Sequence, residues 1–154
     1  MRKMFVKTEN YRKFVSAVKA VEQRGAAEAG MMLVYGVPGL GKSHIVSSWA
    51  AETGAIFLRA NKDWTPRYAL SELAAALEID GRGNSQKLFA RLLKPIAANQ
   101  WPIVIDEAEF TLANQAASLE KIRDISDRAE VTVVLIGMEK IEQNIASYKQ
   151  ISSR

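Results

Sequence analysis

The sequence has no cysteine and a single histidine, His44. Without thiols the chain forms neither disulfides nor thiolate metal sites, and one histidine excludes a multi-histidine metal site. No apolar run approaches the roughly 20 residues of a membrane-spanning helix, and the opening MRKMFVKTEN lacks the apolar core of a secretory signal. Low-complexity tracts, repeats and Pro/Gly-rich linkers are also missing. These absences predict a single domain that resides in the cytoplasm and has no membrane partner.

The formal net charge is +4, and basic residues lie near both ends of the chain. They are Arg2, Lys3, Lys7, Arg12, Lys13, Lys149 and Arg154. A mild positive charge is compatible with simple solubility and equally with binding to a polyanion such as DNA. Composition therefore permits a nucleic-acid partner without requiring one.

Four short apolar runs predict β-strands, and helical patterns separate them. The strand sequences are MMLVY, AIFLRA, PIVID and VTVVLIG. Helices are predicted over residues 10–25, 42–53, 65–81, 84–100, 112–129 and 138–150. Thr65 and Pro66 suit the N-cap and first turn of the third helix, and Pro95 can kink or break the fourth. Apolar strands that alternate with helices indicate an α/β fold, in which helices cover both faces of a mostly parallel sheet.

The segment GVPGLGKS, residues 36–43, fits the pattern G-x-x-x-x-G-K-[ST] between a predicted strand and a predicted helix. Its glycines let backbone N–H groups face phosphate oxygens, and the next helix adds its positive N-terminal end. Lys42 is expected to reach the β- and γ-phosphates of a nucleoside triphosphate, and Ser43 to ligate Mg²⁺. For His44, a position against the nucleotide edge or the sheet is favoured over a catalytic role. The predicted nucleotide-binding residues are Gly36, Val37, Pro38, Gly39, Leu40, Gly41, Lys42, Ser43 and His44.

A second motif, WPIVIDEAEF, places two carboxylates directly after a predicted strand. Asp106 is expected to hold Mg²⁺, directly or through water, and Glu107 to orient and polarise an attacking water. An acidic pair after a strand can also be only a helix N-cap with a solvated acid. Its combination with the phosphate loop favours a hydrolase. A small-molecule kinase is disfavoured, because the glutamate beside Asp106 suits water as the acceptor.

Two further segments leave alternatives open. In NKDWTPR, just beyond the second predicted strand, Trp64 lies between Lys62 and Arg67. Its ring can support contact with a nucleic-acid backbone or can pack under a loop, and composition slightly favours packing. At the end of the chain, Arg154 is either a frayed terminal residue or a finger that reaches the phosphate site of a neighbouring subunit.

The order of GVPGLGKS, RANKDWTPRYALSELAAAL, IVIDEAEF, IRDISDRAEVTVVLIGMEKI and SSR resembles the AAA+ ATPases of DNA transposition, the Mu B-like target-DNA activators. ExeA-type secretion ATPases and insertion-sequence helper ATPases resemble the chain more distantly. The likeness covers essentially the whole chain and implies a P-loop NTPase fold of the AAA+ type. It also implies that residues 1–154 form one AAA+ core domain that ends before the last core strand and the helical lid.

The same resemblance implies roles for individual residues. Residues 36–43 correspond to Walker A, and Asp106 and Glu107 to Walker B. Lys42, Glu107 and Arg154 would be catalytic, the last acting on a neighbouring subunit. Met138 stands where many AAA+ proteins have a polar sensor residue. The DNA-contacting region would contain Lys62, Trp64, Thr65 and Arg67.

The function that this resemblance implies is an ATPase that uses ATP and Mg²⁺ and binds double-stranded DNA without sequence preference. Such a protein assembles on DNA as a helical filament or ring and recruits or activates a transposase. The alternative is an ExeA-type ATPase of secretion assembly or signalling that acts on a protein partner. ATP-dependent DNA binding at low salt distinguishes the two.

Overall fold

Five parallel strands form the centre of the protein in a computed structural model that describes residues 2–5, 11–22, 30–36 and 42–138. The strands are β1 (Arg2–Phe5), β2 (Met31–Gly36), β3 (Ile56–Arg59), β4 (Ile103–Asp106) and β5 (Val133–Met138). Their order in the sheet is β1-β2-β5-β4-β3, and every neighbouring pair is parallel. All carboxyl ends therefore meet at one edge of the sheet, which we call the carboxyl edge.

Helices cover both faces of this sheet. They are α1 (Tyr11–Glu22), α2 (Lys42–Thr53), α3 (Pro66–Ala76), α4 (Ser85–Asn99) and α5 (Ala113–Ala129). Helices α3, α4 and α5 pack with one set of strand side chains, and α1 and α2 pack with the other. The predicted three-layer α/β architecture is confirmed. Within the described residues, no helix has the length and apolar character needed to cross a bilayer.

The middle strands are apolar throughout because both of their faces are buried. In β4, Ile103 and Ile105 belong to the core beneath α3–α5, whereas Val104 belongs to the core beneath α1 and α2. All three side chains are fully buried. This alternation explains why the run PIVID shows no polar face in the sequence.

Helix α3 ends earlier than the sequence predicted. The helix was expected to run to Gly81, but it stops at Ala76 with Leu77 as its C-cap. Glu78 then takes the left-handed conformation with φ 56°, and its N–H and that of Ile79 bond back to the carbonyls of Ala75 and Ala74. This bonding is the Schellman pattern that satisfies the last carbonyls of a helix. No glycine marks this stop, so it has no local signal in the sequence.

Other boundaries also differ in detail. Pro95 lies inside α4 without dividing it, since one helix runs from Ser85 to Asn99. A short 3-10 helix, Ala108–Leu112, precedes α5, and the second to fourth residues of α5 have left-handed dihedral angles. The strand β1 was not predicted. The helix predicted over residues 138–150 lies, beyond Met138, outside the described residues.

Candidate nucleotide-binding site

The phosphate-loop motif begins at the carboxyl edge. Gly36 is the last residue of β2, and Lys42 and Ser43 are the first residues of α2. His44 follows in the first turn of α2 and is exposed. Residues 37–41, between strand and helix, lie outside the described residues. The motif therefore lies between a strand and a helix, the arrangement in which a phosphate loop binds a nucleotide.

Asp106 is the last residue of β4, and its side chain is 9% exposed. The Oδ1 atom accepts a hydrogen bond of 2.8 Å from the backbone N–H of Glu107. This bond fixes the orientation of the carboxylate at the carboxyl edge. A carboxylate held there by its own backbone is pre-organised to bind a cation.

Arg59 is a component of this site that the sequence analysis missed. It is the last residue of β3, and the register of the sheet pairs it with Asp106 on the neighbouring strand. Its Nη2 atom lies 3.5 Å from Oδ2 of Asp106. The Arg59 side chain is 68% exposed, so water screens much of this attraction. Arg59 and Asp106 are 47 positions apart in the sequence, and the pairing of β3 with β4 brings their side chains together.

Glu107 has an unusual backbone conformation. Its φ of 51° and ψ of 46° lie in the left-handed region, which costs a residue other than glycine roughly 1 kcal/mol. Glu107 precedes the 3-10 helix Ala108–Leu112, but its side chain forms no capping hydrogen bond. The carboxylate is instead exposed beside Asp106. Glu107 thus occupies the N-cap position with an exposed carboxylate, so the role in hydrolysis and the alternative of a helix N-cap with a solvated acid both stay predictions.

The positions of Gly36 and Asp106 suit a triphosphate with Mg²⁺ between them. Ile105 of β4 pairs with Leu135 of β5, which pairs with Leu33 of β2. Asp106, one residue after Ile105, is therefore level with Val34 of β2, two strands away. Gly36 lies two residues further along β2, so its Cα atom is about 12 Å from that of Asp106. Asp106 supplies the hard oxygen ligand that Mg²⁺ prefers, and a serine at the start of α2 can supply another. The residues present therefore fit a Mg²⁺–nucleotide complex.

The four residues predicted to lie in a DNA-contacting region have different surroundings. Trp64 is only 3% exposed and belongs to the core beneath α3–α5, as the packing alternative predicted. Its buried Nε1 has no hydrogen-bond partner among the described residues. Thr65 is the N-cap of α3, where its side chain accepts a hydrogen bond from the N–H of Tyr68. Lys62 is exposed.

The guanidinium of Arg67, in the first turn of α3, forms hydrogen bonds within the protein. It donates to Oγ of Ser71 at 2.5 Å and to the carbonyls of Gly81 and Gly83 at 2.7 and 2.9 Å. Trp64 and Arg67 thus have structural roles in this conformation, and a base cannot stack on a ring that is buried in the core. Arg154 lies outside the described residues, and its predicted role stays a prediction.

The parallel sheet, the strand–helix pair around the phosphate-loop motif and the acid at the end of β4 define a P-loop NTPase-like α/β domain. A family model described as an AAA domain matches residues 24–145, and the chain belongs to this family. The sequence matches none of the curated proteins.

Two solved structures are similar to this chain. A DNA replication initiation factor is similar over 90% of this chain and 41% of its own, with 13% identity and a TM-score of 0.51. PCH-2 from C. elegans is similar over 86% of this chain and 37% of its own, with 17% identity and a TM-score of 0.43. This chain therefore spans less than half the length of either protein. At such low identity the first comparison shows the fold alone.

Proposed function

We propose that this protein is an ATPase whose ATP-bound form binds double-stranded DNA without sequence preference and recruits or activates a transposase. The observation that carries the ATPase part is the position of Asp106 and Glu107. Asp106 ends β4 at the carboxyl edge, and Glu107 follows it. Only β5 separates β4 from β2, the strand that leads into the phosphate-loop motif. The DNA and transposase parts rest on the resemblance in sequence and on the basic residues described below.

Each residue of the site has a defined task in this proposal. Asp106, oriented by the N–H of Glu107, would hold Mg²⁺ together with Ser43. Bound Mg²⁺ would neutralise charge on the phosphates during hydrolysis. Lys42 would contact the β- and γ-phosphates. Glu107, exposed beside Asp106, would orient and polarise the attacking water.

The role of ATP in this proposal is that of a switch. With ATP bound, subunits assemble on DNA as a filament or ring, and Arg154 of one subunit contacts the γ-phosphate held by the next. Hydrolysis removes this contact and releases the assembly. Basic side chains bind the phosphate backbone, so the affinity for DNA falls steeply as salt increases.

The direct experiment measures binding of a fluorescently labelled DNA duplex to the 154-residue chain with ATP, with ADP and without nucleotide. We expect binding at low salt with ATP only. The Lys42→Ala variant should bind neither ATP nor DNA. If the wild-type chain binds ATP but no duplex at low salt, the DNA-binding proposal is wrong.

A second candidate is an ATPase that acts on a protein partner, as in the ExeA-type alternative. It is favoured by two aromatic residues, Tyr68 and Phe110, which are 42% and 40% exposed. Both follow strands that end at the carboxyl edge, and exposed aromatic residues are typical of protein interfaces. A chain that shows ATP-dependent capture of a protein, abolished by Tyr68→Ala with Phe110→Ala, and no affinity for DNA would favour this candidate.

A further inference from the structure

The segment between α3 and α4 is held on two sides by arginines. Four consecutive backbone carbonyls accept hydrogen bonds from two guanidinium groups, and they belong to Asp80, Gly81, Arg82 and Gly83. Arg67 donates to the second and fourth carbonyls, at 2.7 and 2.9 Å. Arg91 donates to the first and third, the latter at 3.0 Å. Each arginine thus bonds to alternate carbonyls of residues 80–83, which we call the clamped segment.

The clamped segment lies at the carboxyl edge. Arg59 ends β3 at this edge, and α3 begins a few residues later at Pro66. Because Arg67 is in the first turn of α3, the carbonyls it holds also lie near that turn. After α3 ends, the chain therefore runs back beside this helix to the carboxyl edge, where α4 begins.

Basic side chains outnumber acidic ones around the clamped segment. The Arg82 side chain is 92% exposed, and Lys87, in the first turn of α4, is exposed as well. Side-chain atoms of Lys87 and Arg91 lie within 4 Å of the position that a Cβ on Gly83 would occupy. Residues 80–91 contain three basic residues and one acid, Asp80, so their net charge is +2, and the exposed Glu78 lies just before them.

Asp80 orients Arg82 without neutralising the surface. Its carboxylate accepts hydrogen bonds from Nε and Nη2 of Arg82, at 3.0 and 3.1 Å, and from the backbone N–H of Arg82. These hydrogen bonds lower the pKa of Asp80 to about 2, so the carboxylate is charged at neutral pH. The guanidinium still has donors for a second anion, because a carboxylate occupies only one edge of the fork.

We propose that the clamped segment with Arg82 and Lys87 is a binding surface for the phosphate backbone of double-stranded DNA. The proposal rests on the proposed function and assigns its DNA contacts to residues outside the segment NKDWTPR. Arg67 and Arg91 act as positioning residues, because they hold the backbone on which Arg82 is presented. The amino end of the 15-residue helix α4 adds a further favourable field for phosphate.

The composition of this surface favours nucleic acid over a lipid surface. Apart from Tyr68 and Phe110, no large apolar side chain is exposed in the described part of the chain, and neither residue lies between α3 and α4. A folded domain that docks on a bilayer generally inserts apolar side chains among the headgroups. Exposed cations with polar neighbours, such as Asn84 and Gln86, are typical of contacts that position a protein on a phosphate backbone.

The test measures the affinity of a labelled duplex for the ATP-bound chain over a series of salt concentrations. Arg82→Gln with Lys87→Gln should weaken binding by about tenfold or more at 0.1 M salt and reduce the salt slope by about 2, roughly one for each lost phosphate contact. Asp80→Asn should strengthen binding about two- to fivefold, because it removes the anion that pairs with Arg82. Opposite signs for these variants exclude a simple loss of folding.

The control is Lys94→Gln, which removes one positive charge, as each substitution of the double variant does, on the same helix about 10 Å beyond Lys87 along its axis. It should change affinity by less than twofold. Unchanged affinity and slope for Arg82→Gln with Lys87→Gln would overturn this assignment while leaving DNA binding intact. A wild-type chain that binds no duplex overturns the proposed function itself. Binding to phosphatidylserine vesicles but not to DNA would identify the surface as a lipid site and also overturn the proposal.

Discussion

Two contacts of the Asp106 carboxylate bear on the proposed binding of Mg²⁺. Its Oδ1 accepts the N–H of Glu107, which fixes its direction, while Oδ2 faces the guanidinium of Arg59. Mg²⁺ and Arg59 are both cations that are attracted to this one carboxylate. Arg59 is largely exposed and can move into solvent, so its attraction to Asp106 is worth at most about 1 kcal/mol.

Removal of the Arg59 charge should therefore tighten the binding of the metal. For Arg59→Gln we expect the affinity for Mg²⁺, or for Mn²⁺ followed by electron paramagnetic resonance, to rise about two- to fivefold in the presence of nucleotide. Arg59→Lys keeps the charge and should resemble the wild type. Arg128→Gln removes a guanidinium of similar exposure at the end of α5 and serves as the control. Weaker metal binding by Arg59→Gln would show that Arg59 supports Asp106 and does not compete for it.

Thr65, one of the predicted DNA-contacting residues, has a structural role as the N-cap of helix α3. Thr65 caps the helix and Pro66 follows in its first turn, as the sequence predicted. The Thr65 hydroxyl accepts the N–H of Tyr68 at 3.1 Å. A residue that satisfies a free backbone N–H in this way contributes to stability whatever else it contacts.

Thr65→Ala should lower the free energy of unfolding by about 1 kcal/mol, because the helix loses its cap. Thermal or chemical denaturation measures this change, which corresponds to a fall of about 3 °C in melting temperature for a chain of this size. Thr65→Ser retains the hydroxyl and should be near the wild type. If Thr65→Ala left stability unchanged and weakened DNA binding, Thr65 would be a contact residue and not a cap.

The start of α5 contains an unusual stretch of backbone. Asn114, Gln115 and Ala116 have φ values of 54°, 60° and 62°, in the left-handed region, before the right-handed part of the helix. Left-handed residues other than glycine cost about 1 kcal/mol each. This stretch follows the 3-10 helix after Asp106 and Glu107, so strain is concentrated on the side of the site that carries the acids.

Glycine substitutions test whether this stretch is left-handed, because they change the free energy of unfolding in opposite directions in left-handed and right-handed backbone. Gln115→Gly should raise the free energy of unfolding by about 1 kcal/mol, because glycine accepts a positive φ without strain. Ala117→Gly, in the right-handed part of α5, should lower it by about 1 kcal/mol. The two variants are compared by urea denaturation. Loss of stability in both would mean that residue 115 is right-handed as well.

Much of the fold and part of the site could be predicted from local sequence. The strands β2 to β5 are short apolar runs, and the acids of IVIDEAEF directly follow one of them. The return of the chain after α3 could not be predicted, because Glu78 adopts the left-handed conformation that glycine usually marks. The contact between Arg59 and Asp106 also has no local signal. It depends on the register of β3 against β4.

For the whole molecule, the important feature is that the parallel sheet directs several functions to one edge. The phosphate-loop motif, the acids after β4, the exposed Arg59 and the clamped segment all belong to segments that meet there. A ligand at the proposed nucleotide site and a polyanion on the proposed DNA-binding surface would therefore lie along the same edge of one sheet. In the function that we propose, this shared edge couples ATP hydrolysis to the release of DNA.

The most direct measurement of this coupling is the lifetime of the DNA complex formed by Glu107→Gln with Mg²⁺ and ATP, followed by fluorescence anisotropy after excess unlabelled duplex is added. The variant should bind ATP normally and hydrolyse it about 100- to 10,000-fold more slowly. Glu109→Gln, the same change two positions away, should behave as the wild type. We predict that the Glu107→Gln complex persists long after the wild-type complex has dissociated. Equal lifetimes for the two complexes, with hydrolysis abolished in the variant, would contradict the claim that hydrolysis releases DNA.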